Sequence, residues 1–475
     1  MTEDRNANNI NINNAETTSG AGIEAGSEPS RLRFKDRRRI RMSPFLKIII
    51  GFALVILLGG VLLSLPISSK EKVFTSFDQA VFTSTSAVCV TGLVVKDTAS
   101  YWSGFGQAII LVMIQIGGLG VITVGAAFAL VARRRISIMQ RSTIQEAISA
   151  PKMGGIVRLT LFILIMTGAF ELTGALAMMP EFIKLFGGKG VWMAFFHSIS
   201  AFCNAGFDVM GAETGNFSSL TRFVSSPLIN IVAMLLIIIG GIGYITWDDI
   251  RNNKLRFRRY TMQTKLILVT SAVLIVVPAV LFFCFEFKDM KPGERVLASL
   301  FQAVTPRTAG FNTVDLNSMN GAGRAMIVVL MLIGGSPGST AGGMKTTTAA
   351  VLFGSMISVF RRKNETGFFG RRIDPMLSHV AGAILMLYVT LFVGCGMALS
   401  AIEGLPIGPC LFETASAVGT VGLSLGITPS LGLASKLILI VLMFIGRVGG
   451  LTIMYAAISD KKETSRLPLG KVTVG

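Results

Sequence analysis

Apolar and polar residues along this chain fall into long blocks rather than the short periods of a soluble fold. Eight apolar runs, at 48–65, 106–131, 159–179, 228–247, 266–285, 325–359, 376–402 and 437–458, predict spanning helices, since about 20 helical residues cross roughly 30 Å of hydrocarbon. Four further apolar stretches, at 74–88, 192–200, 295–304 and 409–418, are too short to span and predict half-helices that enter the membrane and return. Residues 1–30 are rich in Asn, Thr, Gly and Glu, with no apolar core of a signal peptide, and read as a disordered tail. A basic stretch from Arg31 to Arg41 joins this tail to the first span.

Each short stretch runs into a glycine flanked by small or branched residues: Val90-Thr91-Gly92-Leu93, Asn204-Ala205-Gly206-Phe207, Thr308-Ala309-Gly310-Phe311 and Thr420-Val421-Gly422-Leu423. The four glycines are 114, 104 and 112 residues apart. A second signature follows in the next span, as Ile116-Gly117-Gly118, Ile239-Gly240-Gly241, Ile333-Gly334-Gly335 and Ile445-Gly446-Arg447. Its first glycine lies 25, 34, 24 and 24 residues beyond the loop glycine. Two features recurring together define a repeated unit of outer helix, half-helix, glycine loop and inner helix. The expected divisions are a tail at 1–43, then units at 44–132, 133–250, 251–360 and 361–475, with 44–475 forming one domain.

Composition agrees with a membrane protein. Only 15% of residues are charged and the mean hydropathy is +0.65, against about 25% charged in soluble chains. The net charge of +18 would otherwise suggest nucleic acid, but its distribution decides against that. Thirty of the 44 Lys and Arg collect in the termini and the loops on their side of the membrane, so both termini are expected in the cytoplasm, with the excess facing lipid. Five scattered cysteines and two histidines form no ligand motif, and read as small buried residues rather than a disulfide framework or metal site.

A dehydrated alkali cation needs oxygen ligands in place of its water shell, and backbone carbonyls supply them where a loop turns its C=O groups toward an axis. Glycine permits the unusual dihedrals and close approach of such a loop. Four loops, at Gly92, Gly206, Gly310 and Gly422, could close a ring around one axis, with the negative ends of the half-helices facing the cation. Asp97, Asp208 and Asp315 sit just beyond three loops, either to concentrate cations at the outer mouth or as ordinary solvated charges. Glu171 and Glu413 lie near membrane depth, where an ionisable group is functional by default. For Glu413 the expected role is a hydrogen bond to neighbouring loop backbone.

The third inner span contains Gly334-Gly335-Ser336-Pro337-Gly338-Ser339-Thr340-Ala341-Gly342-Gly343, which no regular helix survives without a break. Lys345 follows it, and Arg447 lies at matching depth in the fourth inner span. The segment is expected to act as an intramembrane gate. Arg447 would add an electrostatic barrier, hold the closed state, or satisfy carbonyls freed by the broken helix.

These motifs resemble the Trk/Ktr/HKT superfamily of K⁺ transporters from about residue 44 to 475, most closely its Ktr-type membrane subunit. The Trk-type relatives carry further N-terminal spans. The resemblance implies an all-α fold of four M1–P–M2 repeats, eight spanning and four re-entrant helices around a pseudo-fourfold central pore. It implies a K⁺ filter at Gly92, Gly206, Gly310 and Gly422, with the carbonyls of Thr91, Ala205, Ala309 and Val421 contributing. Relatives with serine at the first loop position tend toward Na⁺, so Gly92 favours K⁺. The gating loop of the family matches Gly334, Gly335, Ser336, Gly338, Ser339, Thr340, Gly342, Gly343 and Lys345, and its fourth-repeat arginine matches Arg447. The resemblance also implies a homodimer in the cell membrane, on a cytosolic ring of RCK-type nucleotide-binding subunits. The nucleotide is expected on that partner, since this chain has no GxGxxG after a strand and no P-loop. Na⁺ stimulation occurs among Ktr systems. A secondary symporter coupling K⁺ to Na⁺ or H⁺ is the alternative, although that class commonly has inverted repeats and these four share one orientation. An enzyme would need a nucleophile or metal constellation, which the sequence does not present.

Overall fold

The computed structural model describes residues 43–131, 137–148, 154–254, 256–363, 365–450 and 452, all within a unit running from Met42 to Gly475. The expected disordered tail and basic stretch, and most of the chain beyond Gly450, lie outside the described residues. Among the described residues, apart from a two-residue antiparallel pairing of Gly367–Phe368 with Arg371–Arg372, the regular structure is helical.

Four long helices are the spans with unbroken apolar faces: Pro44–Ser64, Ile156–Phe186, Met262–Phe285 and Pro375–Glu403. Their starts follow from local chemistry. Ser43 Oγ accepts from Leu46 N at 3.2 Å with Pro44 at the first position, and Asp374 accepts from Met376 N at 2.9 Å with Pro375 following. Each long helix precedes a short one: Phe77–Val88, Lys189–Phe202, Pro292–Val304 and Ile407–Gly419. These agree closely with the short apolar stretches at 74–88, 192–200, 295–304 and 409–418. A glycine loop and a further helix follow each time: Gly104–Leu119, Pro227–Gly241, Gly321–Leu332 and Leu433–Val448.

Polarity is inverted relative to a soluble protein. Leu54, Leu58, Val276 and Met386 on the long helices are each more than half exposed, as helices facing lipid require. In contrast, Thr83, Ser84, Thr85 and Ser86 of the first short helix are fully buried. The short helices occupy the interior, and their polar groups find partners inside the protein.

The spans expected at 106–131 and 228–247 are bent. The first turns by 97° between Gly104–Leu119 and Val121–Ala127, the second by 96° between Pro227–Gly241 and Tyr244–Asn253. Gly120 and Gly243 stand at these corners with φ of +87° and +95°, a conformation that ends a right-handed helix and suits glycine. The run at 325–359 is broken as expected, into Gly321–Leu332 and Thr346–Phe360. In the fourth, the helix ends at Val448 before Gly449, whose φ is +91°; residues 451 and 453–458 of the expected span are outside the described set.

Candidate functional site

The four glycine loops share one backbone pattern. Two residues before each glycine a non-glycine residue holds positive φ: Val90 at 56°, Asn204 at 58°, Thr308 at 67° and Thr420 at 51°. The glycines follow at 93°, 69°, 77° and 91°. Left-handed backbone at a β-branched residue such as Val90 is costly and persists only where its surroundings fix it. The restraint comes from the preceding short helix. Thr91, Ala205 and Val421 N–H each donate to a helix carbonyl, of Ser86, Ser200 and Ser416 respectively, at 2.8 Å, and Ala309 N–H donates to Thr305 O at 2.9 Å.

Side-chain hydroxyls from the same four residues complete the support. Ser86 and Ser416 Oγ accept from Gly92 and Gly422 N–H, each at 3.0 Å. Ser200 and Thr305 instead donate to the carbonyls of Phe207 and Phe311, each at 2.7 Å. The sequence reading missed these four residues. Their signal was nevertheless present, as a hydroxyl six, six, five and six residues before each glycine.

The glycines meet one another in chain order. A Cβ on Gly92 would lie 2.5 Å from Ala205 O and 3.1 Å from Gly206 Cα; one on Gly206 would lie 2.8 Å from Ala309 O and 2.9 Å from Gly310 Cα. At Gly310 it would overlap Val421 O and lie 3.3 Å from Gly422 Cα, and at Gly422 it would overlap Thr91 O and lie 2.9 Å from Gly92 Cα. The contacts run 92, 206, 310, 422 and back to 92. All eight residues Thr91, Gly92, Ala205, Gly206, Ala309, Gly310, Val421 and Gly422 are thus brought together, and a side chain at any of the four glycines would intrude on the next loop's backbone.

The second glycine signature has a packing role. A Cβ at Gly117, Gly240 or Gly446 would overlap the carbonyl oxygen of Val88, Phe202 or Val418, near the end of the short helix in its own unit. Glycine therefore lets these three inner helices press against the base of their loops, whereas a Cβ at Gly334 would overlap Gly342 O of the glycine-rich segment.

A cavity of about 370 Å³ lies over the ring and is lined by all four glycines together with Asp97, Asp208 and Asp315. Asp97 is committed to structure as well: it accepts from Ala99 N at 3.0 Å, Ser100 N at 2.7 Å and Phe217 N at 2.9 Å. Asp208 accepts from Met210 N at 3.0 Å, and burial, with the nearby Asp97 adding to it, pushes its carboxyl up to about 7. Asp315 is exposed. Glu413 accepts from the hydroxyls of Ser424 and Thr428 and from the Leu425 backbone, so it braces the fourth loop through side chains beyond the expected backbone bond. Glu171 accepts from Gln115 Nε2 at 3.1 Å and lies against Cys203 at the base of the second loop.

The glycine-rich segment crosses to several other parts of the chain. Ser336 N donates to Gly241 O at 2.9 Å, Thr340 N to Gly240 O at 3.3 Å and Gly343 N to Gly446 O at 3.2 Å, while Gly338 O accepts from Tyr244 N at 2.7 Å. Gly334 N donates to Met344 O at 2.8 Å and Thr346 N to Gly335 O at 3.0 Å, closing the segment on itself. Lys345 Nζ turns back to Ala341 O at 2.8 Å and Gly342 O at 3.4 Å. Arg447 donates to Thr340 O and to the carbonyls of Gly117 and Gly118 at the end of the first inner helix, where Gly117 O also accepts from Gly120 N at 3.1 Å and Gly118 O from the Tyr244 hydroxyl at 3.2 Å. A second cavity, of about 270 Å³, borders Gly338, Ser339, Lys345 and Arg447.

One side chain joins this segment to the ring. Fully buried Asn204 donates from Nδ2 to Arg307 O of the third loop at 3.0 Å, and its Oδ1 accepts from Thr340 Oγ1 at 3.2 Å. Thr340 was predicted as a gate residue; Asn204 was quoted only as part of its loop.

The TrkH family model, described as a cation transport protein, matches residues 30–465. Potassium/sodium uptake protein NtpJ of Enterococcus hirae is 40% identical over 89% of this chain and 94% of its own length. Ktr system potassium uptake protein B of Bacillus subtilis is 37% identical over 92% of this chain and 98% of its own. The crystal structure of the potassium transporter TrkH from Vibrio parahaemolyticus superposes with a TM-score of 0.68 at 20% identity, over 88% of this chain and 86% of that one, which shows the fold. This chain belongs to the TrkH family of cation transport proteins, and is a membrane transporter, not an enzyme.

Proposed function

We propose that the chain takes up K⁺ through a central pore with pseudo-fourfold symmetry, built from four M1–P–M2 units. The observation that carries this reading is the closed run of contacts from Gly92 through Gly206 and Gly310 to Gly422 and back. A ring of this kind holds carbonyls from four loops around one axis, the ligand set that replaces a cation's hydration shell. The names of the Enterococcus hirae and Bacillus subtilis relatives, both of them potassium uptake proteins, support K⁺ as the cargo. Both termini are cytoplasmic, and a membrane potential negative inside favours cation entry by about 2.3 kcal/mol per charge per 100 mV. The 334–343 segment and Lys345 are the gate, and Arg447 holds it across the path. The chain works as a homodimer in the cell membrane under a cytosolic nucleotide-binding partner; the word system in the names of its Bacillus subtilis relatives agrees with a partner subunit.

Uptake of K⁺ and Na⁺ into liposomes by wild type and Gly92→Ser tests the filter. Wild type is expected to prefer K⁺, and Gly92→Ser to lose most of that preference, because the new Cβ lies 2.5 Å from Ala205 O. Equal transport of both ions by both proteins would remove the filter reading. Because sodium appears in the name of the Enterococcus hirae relative, the same assay with a Na⁺ gradient tests the second reading, a K⁺/Na⁺ symporter. That reading requires each ion to drive the other uphill.

A further inference from the structure

The 96° turn at Gly243 leaves an elbow on the outside of the protein, between the Ile156–Phe186 helix and the Tyr244–Asn253 helix. A groove of about 740 Å³ occupies it. On the long helix, Arg158, Leu161, Phe162, Ile165 and Met166 line it at helical spacing, so a single face is used. Leu161 is 50% and Ile165 61% exposed, and Trp247 closes the opposite wall. This body of the groove is apolar.

Its end is not. Arg158 and Arg251 line both this groove and an adjoining cavity of about 440 Å³. Both arginines are exposed, and neither forms an ion pair among the described residues. Arg251 lies over Phe162, its Cζ 4.8 Å from the ring centre, which holds its guanidinium at the mouth of the apolar part. The adjoining cavity also meets Gly155, at the uncapped start of the 31-residue helix, and Asp248.

An apolar trough that ends in two unpaired guanidiniums matches one kind of molecule available in a membrane. We infer that the groove binds an anionic phospholipid, its acyl chain along Leu161, Ile165 and Trp247 and its phosphate between Arg158 and Arg251. Planar guanidiniums pair with phosphate in two-point geometry, and the chain removes further apolar surface from contact with mobile lipid. Asp248 faces a headgroup hydroxyl in this arrangement.

The site has a route to the gate. Trp247, in the groove wall, stacks edge-on with Tyr244 at 5.1 Å between ring centres. Tyr244 in turn donates from its backbone to Gly338 O at 2.7 Å and from its hydroxyl to Gly118 O at 3.2 Å. A lipid seated in the elbow therefore braces the short helix that grips the glycine-rich segment, and its loss alters transport.

The test uses the full chain and phosphatidylglycerol as the probe. Native mass spectrometry of the detergent-purified protein counts retained lipid for wild type, Arg158→Gln with Arg251→Gln, and the paired lysine variants. Each arginine is expected to contribute about fivefold in affinity, so the glutamine pair falls roughly 25-fold, with the lysine pair between. Cation flux is then compared in phosphatidylcholine vesicles with and without phosphatidylglycerol. Wild type is expected to respond to phosphatidylglycerol and the glutamine pair to give the same flux in both vesicles. Equal retention by wild type and the glutamine pair overturns the proposal, as does equal retention of phosphatidylcholine, which would mean a non-selective apolar groove. An identical response to phosphatidylglycerol in both proteins overturns the link to the gate. The binding arm does not depend on which cation is carried, so its failure is distinct from a failure of the K⁺ reading.

Discussion

The glycine loops and the glycine-rich segment at 334–343 are both irregular backbone buried at membrane depth, yet they are held in different ways. Each glycine loop is tied chiefly to the short helix just before it, through a serine or threonine and bonds spanning four to seven residues. The glycine-rich segment is tied to Gly240 and Gly241, to Tyr244, and to Gly446 and Arg447, roughly 100 residues away on either side. Local ties hold geometry regardless of how the helices tilt. Distant ties hold only while those helices keep their places. The first arrangement suits a coordination site that must not change size, and the second suits an element that moves when inner helices move. Asn204 is the side chain that reads both, bonded to the third loop and to Thr340.

The largest effect is expected in the loops. Gly422 and Gly426 have nearly the same φ, +91° and +90°, but a Cβ at Gly422 overlaps Thr91 O while one at Gly426 meets nothing within 4 Å. Gly422→Ala is expected to cut K⁺ flux about 100-fold, combining backbone strain with overpacking of the ring. Gly426→Ala carries the strain alone and should lose about tenfold or less. If the two variants behave alike in a liposome flux assay, close approach in the ring has no special role.

On the segment side, Arg447→Gln removes charged donors from Thr340, Gly117 and Gly118 carbonyls. Loosening the distant tie should raise flux by roughly tenfold in the absence of any partner, at unchanged K⁺ over Na⁺ preference. A variant with altered ion preference but unaltered flux would reverse the roles assigned to the two regions.

The smallest effect is expected at the mouth. Asp208 has its carboxyl pushed up to about 7, so it carries charge at pH 8 and is mostly neutral at pH 6. External K⁺ should then half-saturate uptake at about twofold lower concentration at pH 8 than at pH 6. Asp208→Asn should hold the acidic value at both. A pH response that survives this substitution belongs to another group.

The resemblance of loops to one another was legible because it rests on local spacing. A half-helix followed by glycine is written in consecutive residues, and the short helices fall where the apolar stretches predicted them. The corners at Gly120 and Gly243 were not legible, since each lies inside an uninterrupted apolar run. A single glycine in such a run fits a straight helix as well as a bent one, and packing decides which.

The candidate site divides along the same line. Sequence alone was enough to place apolar spanning helices, four short helices each followed by a glycine loop, and a break in one inner helix at Gly334–Gly343, because hydropathy, length and backbone freedom are properties of short segments. Only the tertiary structure decided that Gly92, Gly206, Gly310 and Gly422 meet in a ring, that Arg447 reaches Thr340 and the first inner helix, and that Asn204 spans loop and segment. Those contacts join residues 103 to 330 positions apart, and no local pattern encodes which distant carbonyl a donor will find.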